Sequence, residues 1–133
     1  METQWYSAKV IHGFKNGSKF GFPTANLEFK TSPCLQNGSY KTVVDVDGKL
    51  YKGMLYAGTR PTLNLTETTF EVHILNFSGC LYGKTVRICF LGFLREEIRF
   101  KDVDSLVEQL ESDRRRTDNE IDLDVFSSQN IYD

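Results

Sequence analysis

The sequence predicts one mainly-β domain, either a closed antiparallel barrel or a sandwich, with a single helix close to its C-terminus. Three observations support this prediction. Most of the 133 residues alternate apolar and polar side chains with a period of two, as half-buried strands do. Turn signals separate these runs at short intervals, and no helical pattern lies between them that could connect parallel strands. Beyond Asp102 the apolar period changes to that of a helix.

Alternation within each run justifies the strands. The runs are 7–13, 40–46, 50–51 continuing as 52–57, 69–77 and 85–93. In the second run Tyr40, Thr42 and Val44 share one face, while Lys41 lies on the other. Asp-Gly at positions 47–48 predicts a tight hairpin, because a type I′ turn needs positive φ at both central residues.

The helix is predicted from one apolar stripe and a cap. Its stripe is formed by Val103, Leu106, Val107 and Leu110. Asp102 is a good N-cap, and we expect the helix to run to about Ile121 and to lie against the barrel. The triplet Arg114-Arg115-Arg116 is interpreted as a solvated helix face, with phosphate binding as the alternative.

Composition limits the classes of partner. Sixteen basic and eighteen acidic residues give a net charge of -2, which argues against a nucleic-acid partner. No apolar run approaches the roughly 20 residues that span a bilayer, and the start lacks a secretory signal, so we expect a cytoplasmic protein. Cys34, Cys80 and Cys89 are expected to be free thiols. A monomer is expected because no second apolar stripe is evident.

The segment from Gly13 to Asn26 is the richest in chemistry. Its glycines and lysines suit a loop whose backbone binds an anion, although a mobile turn has the same composition. Thr24 and Asn26, two apart on extended chain, project from one face and could hold Mg²⁺. The alternative is that both only hydrogen-bond a turn.

Two further segments are candidates. Glu71 lies in the middle of a strand, on the face opposite Phe70 and Val72. A buried carboxylate there could act as a general base, whereas a solvent-facing one would have no such role. The run from Leu94 to Phe100 connects a strand to the helix and is either a ligand-binding loop or a charged connector.

The segments, in this order, resemble the riboflavin kinase family, which also forms the C-terminal half of bacterial bifunctional FAD synthetases. The resemblance covers about residues 7–121 of an expected single domain, 1–133. It rests on Gly21-Phe22-Pro23-Thr24-Ala25-Asn26-Leu27, Gly58-Thr59-Arg60-Pro61-Thr62, Phe70-Glu71-Val72-His73, Leu81-Tyr82-Gly83-Lys84, Leu94-Arg95 through Phe100, and Leu106, Gln109 and Asp113 in the helix.

The resemblance implies a six-stranded antiparallel Greek-key β-barrel with the helix packed against it. It implies transfer of the γ-phosphate of ATP to the 5′-hydroxyl of riboflavin, giving FMN and ADP. The roles it implies are Thr24 and Asn26 for Mg²⁺, Glu71 for the general base, Gly13, Lys19, Ile74, Asn76 and Tyr82 for the nucleotide, and Arg95, Ile98 and Phe100 for the flavin. Without the adenylyltransferase module, the chain alone should not make FAD.

Two alternatives stay open at this point. One is a catalytically silent module that binds a flavin or a nucleotide. The presence of Glu71 beside Thr24 and Asn26 favours the enzyme, since a binding module needs no base. The other is a small nucleic-acid-binding barrel of OB type, which would predict a basic groove with exposed aromatic residues.

Overall fold

A computed structural model describes residues 4–12 and 21–126. These residues form six strands followed by one helix. The elements are β1 (Tyr6–Ile11), β2 (Ala25–Phe29), β3 (Gly38–Val46), β4 (Lys49–Pro61), β5 (Thr66–Ile74), β6 (Thr85–Arg95) and α1 (Val103–Glu120). The mainly-β prediction is confirmed, and it is the barrel rather than the sandwich that forms.

The strands close into a barrel in the order β1-β2-β5-β4-β3-β6. Every neighbouring pair is antiparallel, including β1 with β6, which completes the ring. Strands β3, β4 and β5 form a meander, and β6 returns beside β3, which is the Greek-key arrangement. The predicted hairpin is present, with φ of 52° at Asp47 and 89° at Gly48.

Strand β2 was absent from the strands predicted by alternation, although six strands were implied by the resemblance. It has only five residues, and the proline and threonine before it read as a turn. Pairing with the strands on either side, rather than its own residue pattern, defines β2. Leu27 pairs with Val10 on one side and with Phe70 on the other, and all three side chains are buried in the barrel.

The barrel interior is filled by inward-facing side chains from all six strands. Representative members are Val10, Leu27, Val44, Leu55, Val72 and Ile88. Gly53 is required at one point of this interior. A Cβ at that position would lie 2.8 Å from a methyl of Val44 and 2.9 Å from the hydroxyl of Thr42.

Helix α1 lies across the outer face of β4. Leu106, Val107 and Leu110 pack there with Phe22, Met54 and Leu75, and the Asp102 carboxylate caps the helix by accepting from the Ser105 amide at 2.8 Å. The helix ends at Glu120, as predicted. Val103 was wrongly included in the buried stripe. It is the first helical residue, precedes the residues that pack on β4, and is 52% exposed.

The residues after α1 pack on a different part of the outer face. Ile121 and Phe126 form a cluster with Val43 and Cys89, next to Trp5. The cysteines are free thiols, with Cys34 and Cys80 exposed and Cys89 buried. Within residues 4–12 and 21–126, α1 does not have the combination of length and apolar character that a membrane-spanning helix needs.

Candidate functional site

One row of polar residues crosses the outer face of the barrel. The strand registers set Asn26 opposite Glu71, Glu71 opposite Tyr56, Tyr56 opposite Ser39, and Ser39 opposite Arg95. Directly opposed residues share a face of a sheet. Five strands therefore bring together side chains that are far apart in sequence, and Glu71 lies inside this row.

Two cavities adjoin this row, and both are lined by Thr24. The first has a volume of about 300 Å³ and lies between the barrel, α1 and the loop after β6. Its wall includes Phe22, Tyr56, Glu71, Arg95 and Phe100. The second, of about 590 Å³, lies between β1, the start of β2 and the loop after β5. Thr24 thus marks where two ligands in the separate cavities would meet.

Glu71 and Thr24 are joined by a hydrogen bond at this junction. The Thr24 hydroxyl donates to Glu71 Oε1 at 3.0 Å. Burial raises the pKa of the Glu71 carboxyl above its usual value, and the hydrogen bond from Thr24 opposes that rise. The carboxyl is half-buried at a cavity wall, which is the setting in which a carboxylate can accept a proton from a bound hydroxyl.

His73, two residues beyond Glu71 on the same face of β5, is also engaged with the segment that carries Thr24. Its Nδ1 lies 2.8 Å from the carbonyl oxygen of Pro23. Burial lowers the pKa of His73, so the ring is neutral at physiological pH. A carbonyl only accepts, so Nδ1 carries the proton of this hydrogen bond.

The far wall of the first cavity contains the three residues assigned to the flavin by resemblance. Arg95, Ile98 and Phe100 all line it. Arg95 is held by a buried ion pair with Asp113 of α1, at 2.9 Å, and its guanidinium lies 5.9 Å from the centre of the Phe100 ring. Asp113 also accepts from Gln109 at 3.0 Å, so the helix fixes this wall.

The second cavity contains part of the expected nucleotide set. Ile74 and Tyr82 line it, and the Tyr82 ring stacks on His12 with 3.6 Å between centroids. Asn76 follows β5 in an exposed turn with φ of 59° and is not among the described residues that form the wall, so its nucleotide contact stays a prediction. Gly13 and Lys19 lie outside the described residues.

Sequence reasoning missed several wall residues. Tyr56 is one of them, and the register sets it opposite Glu71 on the outer face of β4. Burial, with the nearby charge of Asp113, raises the pKa of Tyr56 far above its usual value, so the phenol stays a hydrogen-bond donor. His12, in the wall of the second cavity, is another residue that no sequence motif singled out. Phe22 belonged to the quoted motif, and its ring lines the first cavity.

All three arginines of the α1 triplet are exposed, and two of them also contact neighbouring residues. Arg116 donates to the Leu94 carbonyl at 3.1 Å and pairs with Glu120, and the Arg114 guanidinium lies 6.0 Å from the centre of the Phe22 ring. The interpretation of the triplet as a solvated helix face therefore holds for all three residues.

Thr24 and Asn26 have the chemistry that a hard cation prefers. Their side chains offer neutral oxygens on the outer face, and the Thr24 hydroxyl uses its proton toward Glu71, which leaves its lone pairs available. Within the described residues no cluster of three His, Cys, Asp or Glu side chains is arranged to hold a metal. The donors present fit Mg²⁺, which keeps several water or phosphate ligands of its own.

Comparison with known proteins agrees with this geometry. A family model described as flavokinase, riboflavin kinase, matches residues 3–121. The chain is 38% identical over 106 residues to the bifunctional riboflavin kinase/FMN adenylyltransferase of Haemophilus influenzae, covering 79% of this chain and 34% of that protein. It is 34% identical to the RNA-binding riboflavin kinase RibR of Bacillus subtilis, covering 78% of this chain and 45% of that protein. The chain thus spans less than half the length of these two relatives.

Solved structures show the same architecture. A riboflavin kinase from Trypanosoma brucei superposes with a TM-score of 0.64 and 26% identity, covering 90% of this chain and 80% of that chain. A structure described as a macrolide-efflux protein from Streptococcus pneumoniae gives a TM-score of 0.83 with 33% identity, covering 88% of this chain and 39% of that chain. The family match extends from β1 through the end of α1, and the chain therefore belongs to the riboflavin kinase family.

Proposed function

We propose that this chain phosphorylates riboflavin at its 5′-hydroxyl with ATP, in a Mg²⁺-dependent reaction that gives FMN and ADP. The observation that carries the proposal is the position of Thr24, which lines both cavities and is bonded to Glu71. A donor and an acceptor bound in the two cavities would meet beside the Glu71 carboxylate, which lines the first cavity next to Thr24.

The walls suit the two substrates in different ways. The first cavity is lined by aromatic and aliphatic side chains, among them Phe22, Ile98 and Phe100, with Arg95 and Tyr56 as polar groups. Such a lining accommodates a planar heteroaromatic ring and orients it by few hydrogen bonds. The second is larger, and Tyr82 stacked on His12 offers an aromatic surface for a purine.

Glu71 supplies the acid–base step. Its carboxylate accepts the proton of the riboflavin 5′-hydroxyl while the hydroxyl oxygen forms a bond to the γ-phosphorus. The bond from that phosphorus to the β–γ bridging oxygen breaks, and its electron pair leaves with ADP. Phosphoryl transfer asks a protein mainly for positioning and for neutralisation of charge, so one base at the junction is sufficient.

Thr24 and Asn26 would hold Mg²⁺ through their side-chain oxygens. When bound, the ion neutralises negative charge on the phosphates of the nucleotide. The hydrogen bond from Thr24 to Glu71 links this pair of ligands to the base. The proposal therefore assigns Thr24 two contacts, one on each side of the junction.

The test is a chromatographic assay of FMN formed from riboflavin, ATP and Mg²⁺ by the purified chain and by Glu71→Gln. We expect kcat to fall about 10²- to 10⁴-fold in the variant, as for loss of a general base, with riboflavin affinity nearly unchanged. Glu28→Gln is the matched control, because Glu28 is an exposed carboxylate on the neighbouring strand β2. It should leave FMN formation unchanged.

Two results would contradict the proposal in different ways. Equal loss of turnover and riboflavin binding in Glu71→Gln would make Glu71 a structural or binding residue. No FMN from the unaltered chain, with riboflavin still bound, would favour the silent binding module.

The remaining expectations concern partners and location. We propose a cytoplasmic monomer. The expectation that it binds no nucleic acid rests on the net charge of -2 alone. It stays a prediction, since one relative is described as an RNA-binding riboflavin kinase. A salt-sensitive shift of a single-stranded oligonucleotide would contradict it.

A further inference from the structure

His73 is the polar member of the Glu71-Val72-His73 motif that has no part in the proposed reaction. The side chain is buried, with 8% of its surface exposed, on the outer face of β5. Its Nδ1–H donates to the Pro23 carbonyl at 2.8 Å, and the Phe22 ring packs edge-on against it with 5.4 Å between centroids. The imidazole is thus directed at the backbone just before Thr24, and His73 itself lines neither cavity.

This hydrogen bond lies just beyond the last paired residues of β2 and β5. Pairing between β2 and β5 ends at Ala25 opposite Val72, so the next position would set Thr24 opposite His73. Pro23 has no N–H and cannot extend the ladder. Two side-chain hydrogen bonds from alternate residues of β5 replace it, one between His73 and Pro23 and one between Glu71 and Thr24.

The Pro23 carbonyl determines how Thr24 is presented. That carbonyl and the Thr24 nitrogen belong to one planar peptide unit, whose orientation is fixed once its oxygen is bonded. The Pro23 φ is fixed by its ring. These two constraints limit the backbone at Thr24, and the hydrogen bond of its hydroxyl to Glu71 then sets the direction of the side chain.

We propose that His73 is a positioning residue, which by bonding the Pro23 carbonyl holds the Thr24 hydroxyl against Glu71 at the junction of the two cavities. His73 touches no reacting atom and acts through the backbone of Pro23 and Thr24. Its effect on turnover rests on the proposed function, whereas the hydrogen bond and its effect on Thr24 do not.

Three variants test the kinetic part. His73→Leu removes the donor, and we expect kcat to fall about 10- to 100-fold while the KM for riboflavin stays within about twofold, as for misplacement of a reacting group. His73→Asn should restore most of kcat, because its amide N–H can take the position of Nδ1–H. Thr42→Val is the control. It removes a comparable buried bond, from Thr42 to the Gly53 carbonyl at 2.9 Å, and should keep kcat.

A double-mutant cycle separates positioning from a general loss of stability. If His73 acts through Thr24, His73→Leu should cost little further kcat once Thr24→Val is present. Independent effects that multiply, or a loss of kcat in Thr42→Val as large as in His73→Leu, would overturn the proposal.

Nuclear magnetic resonance tests the contact without turnover and in the unaltered chain. We expect a slowly exchanging Nδ1 proton on His73, and a shift of the Thr24 amide signal in His73→Leu that His73→Asn largely reverses. An Nε2–H tautomer with Nδ1 unprotonated would overturn the proposal. A chain with the expected His73 signals but no FMN product would instead contradict the proposed function.

Discussion

Glu71 is the residue whose protonation determines both chemistry and stability at the site. Its carboxyl is half-buried, and burial raises its pKa, so the folded chain binds a proton there more readily than the unfolded chain. The carboxylate needed for a base therefore has an energetic cost to the fold. That cost is present above the range in which the unfolded carboxyl titrates, and it disappears at lower pH.

Because the Glu71 charge destabilises the fold, removing it should raise stability. Glu71→Gln keeps an acceptor for the Thr24 hydroxyl but removes the charge, so the variant should be more stable to urea than the unaltered chain at pH 7. The difference in stability should shrink toward zero as pH falls below about 4, where Glu71 is protonated in both the folded and the unfolded state of the unaltered chain. In the unaltered chain, FMN formation should decline with falling pH at a midpoint above that of an ordinary glutamate. A variant less stable at pH 7 would contradict this.

Thr24 gives the second prediction at this scale. Thr24→Val keeps the shape of the side chain but removes the hydroxyl, so the Mg²⁺ concentration that gives half-maximal FMN formation should rise about tenfold, the scale found for loss of contacts around a metal. Thr24→Ser retains the hydroxyl and should keep this Mg²⁺ concentration close to that of the unaltered chain. Unchanged Mg²⁺ dependence in Thr24→Val would remove Thr24 from the metal site.

Residue types in the sequence identified the most reactive positions of the site, whereas its other residues became evident only from the register of the strands. A carboxylate in mid-strand and two oxygen-bearing side chains two apart made Glu71, Thr24 and Asn26 candidates from the sequence alone. Tyr56 could not be chosen in that way, because its relevance comes from lying opposite Glu71 in the β4–β5 pairing. The role of His73 was hidden for the same reason, since Pro23 is 50 residues away.

At the scale of elements, long strands and the helix were predictable and β2 was not. β3 has nine residues and α1 has eighteen, which is long enough for the apolar pattern of each to identify it as a strand or a helix. Five residues of β2 do not, and its place is set by pairing with β1 and β5. The segment with the strongest functional motif therefore had the weakest signal for its own secondary structure.

The attachment of α1 to β6 gives the third prediction. Asp113 is 0% exposed and pairs with Arg95, so Asp113→Asn leaves a largely buried guanidinium without its counter-charge. We expect a loss of about 3 kcal/mol in the free energy of unfolding, measured by urea titration. Asp118→Asn on the same helix is the control. Its pair with Lys52 is exposed, and its loss should cost less than about 1 kcal/mol.

Equal effects of these two substitutions would contradict the prediction that the buried Arg95–Asp113 pair contributes more to stability than the exposed Lys52–Asp118 pair. The pair also fixes the Arg95 side of the first cavity. Asp113→Asn should therefore weaken riboflavin binding as well as the fold, whereas Asp118→Asn should leave binding unchanged.

At the scale of the whole molecule, the two cavities have different walls. The first is lined mainly by outer-face and loop residues such as Tyr56 and Phe100, whereas the second reaches the barrel interior, where Val10, Val72 and Ile74 line it. Pattern alone predicted the interior, because inward residues alternate along each strand. It could not predict the cavities, since these are formed by loops and by the space left between α1 and the barrel.

This difference between the walls gives the last prediction. A ligand that binds only the folded chain should raise its stability by about 2.7 kcal/mol at a concentration 100-fold above Kd, which for a domain of this size is a rise in Tm of about 10 °C. Phe100→Ala should abolish most of the shift given by riboflavin but keep that given by MgADP, and Tyr82→Ala should do the reverse. Because Thr24 lines both cavities, the shift with both ligands should differ from the sum of the two single shifts. If each substitution reduced both shifts equally, the two ligands would share one cavity, and the assignment of flavin and nucleotide to separate walls would be wrong.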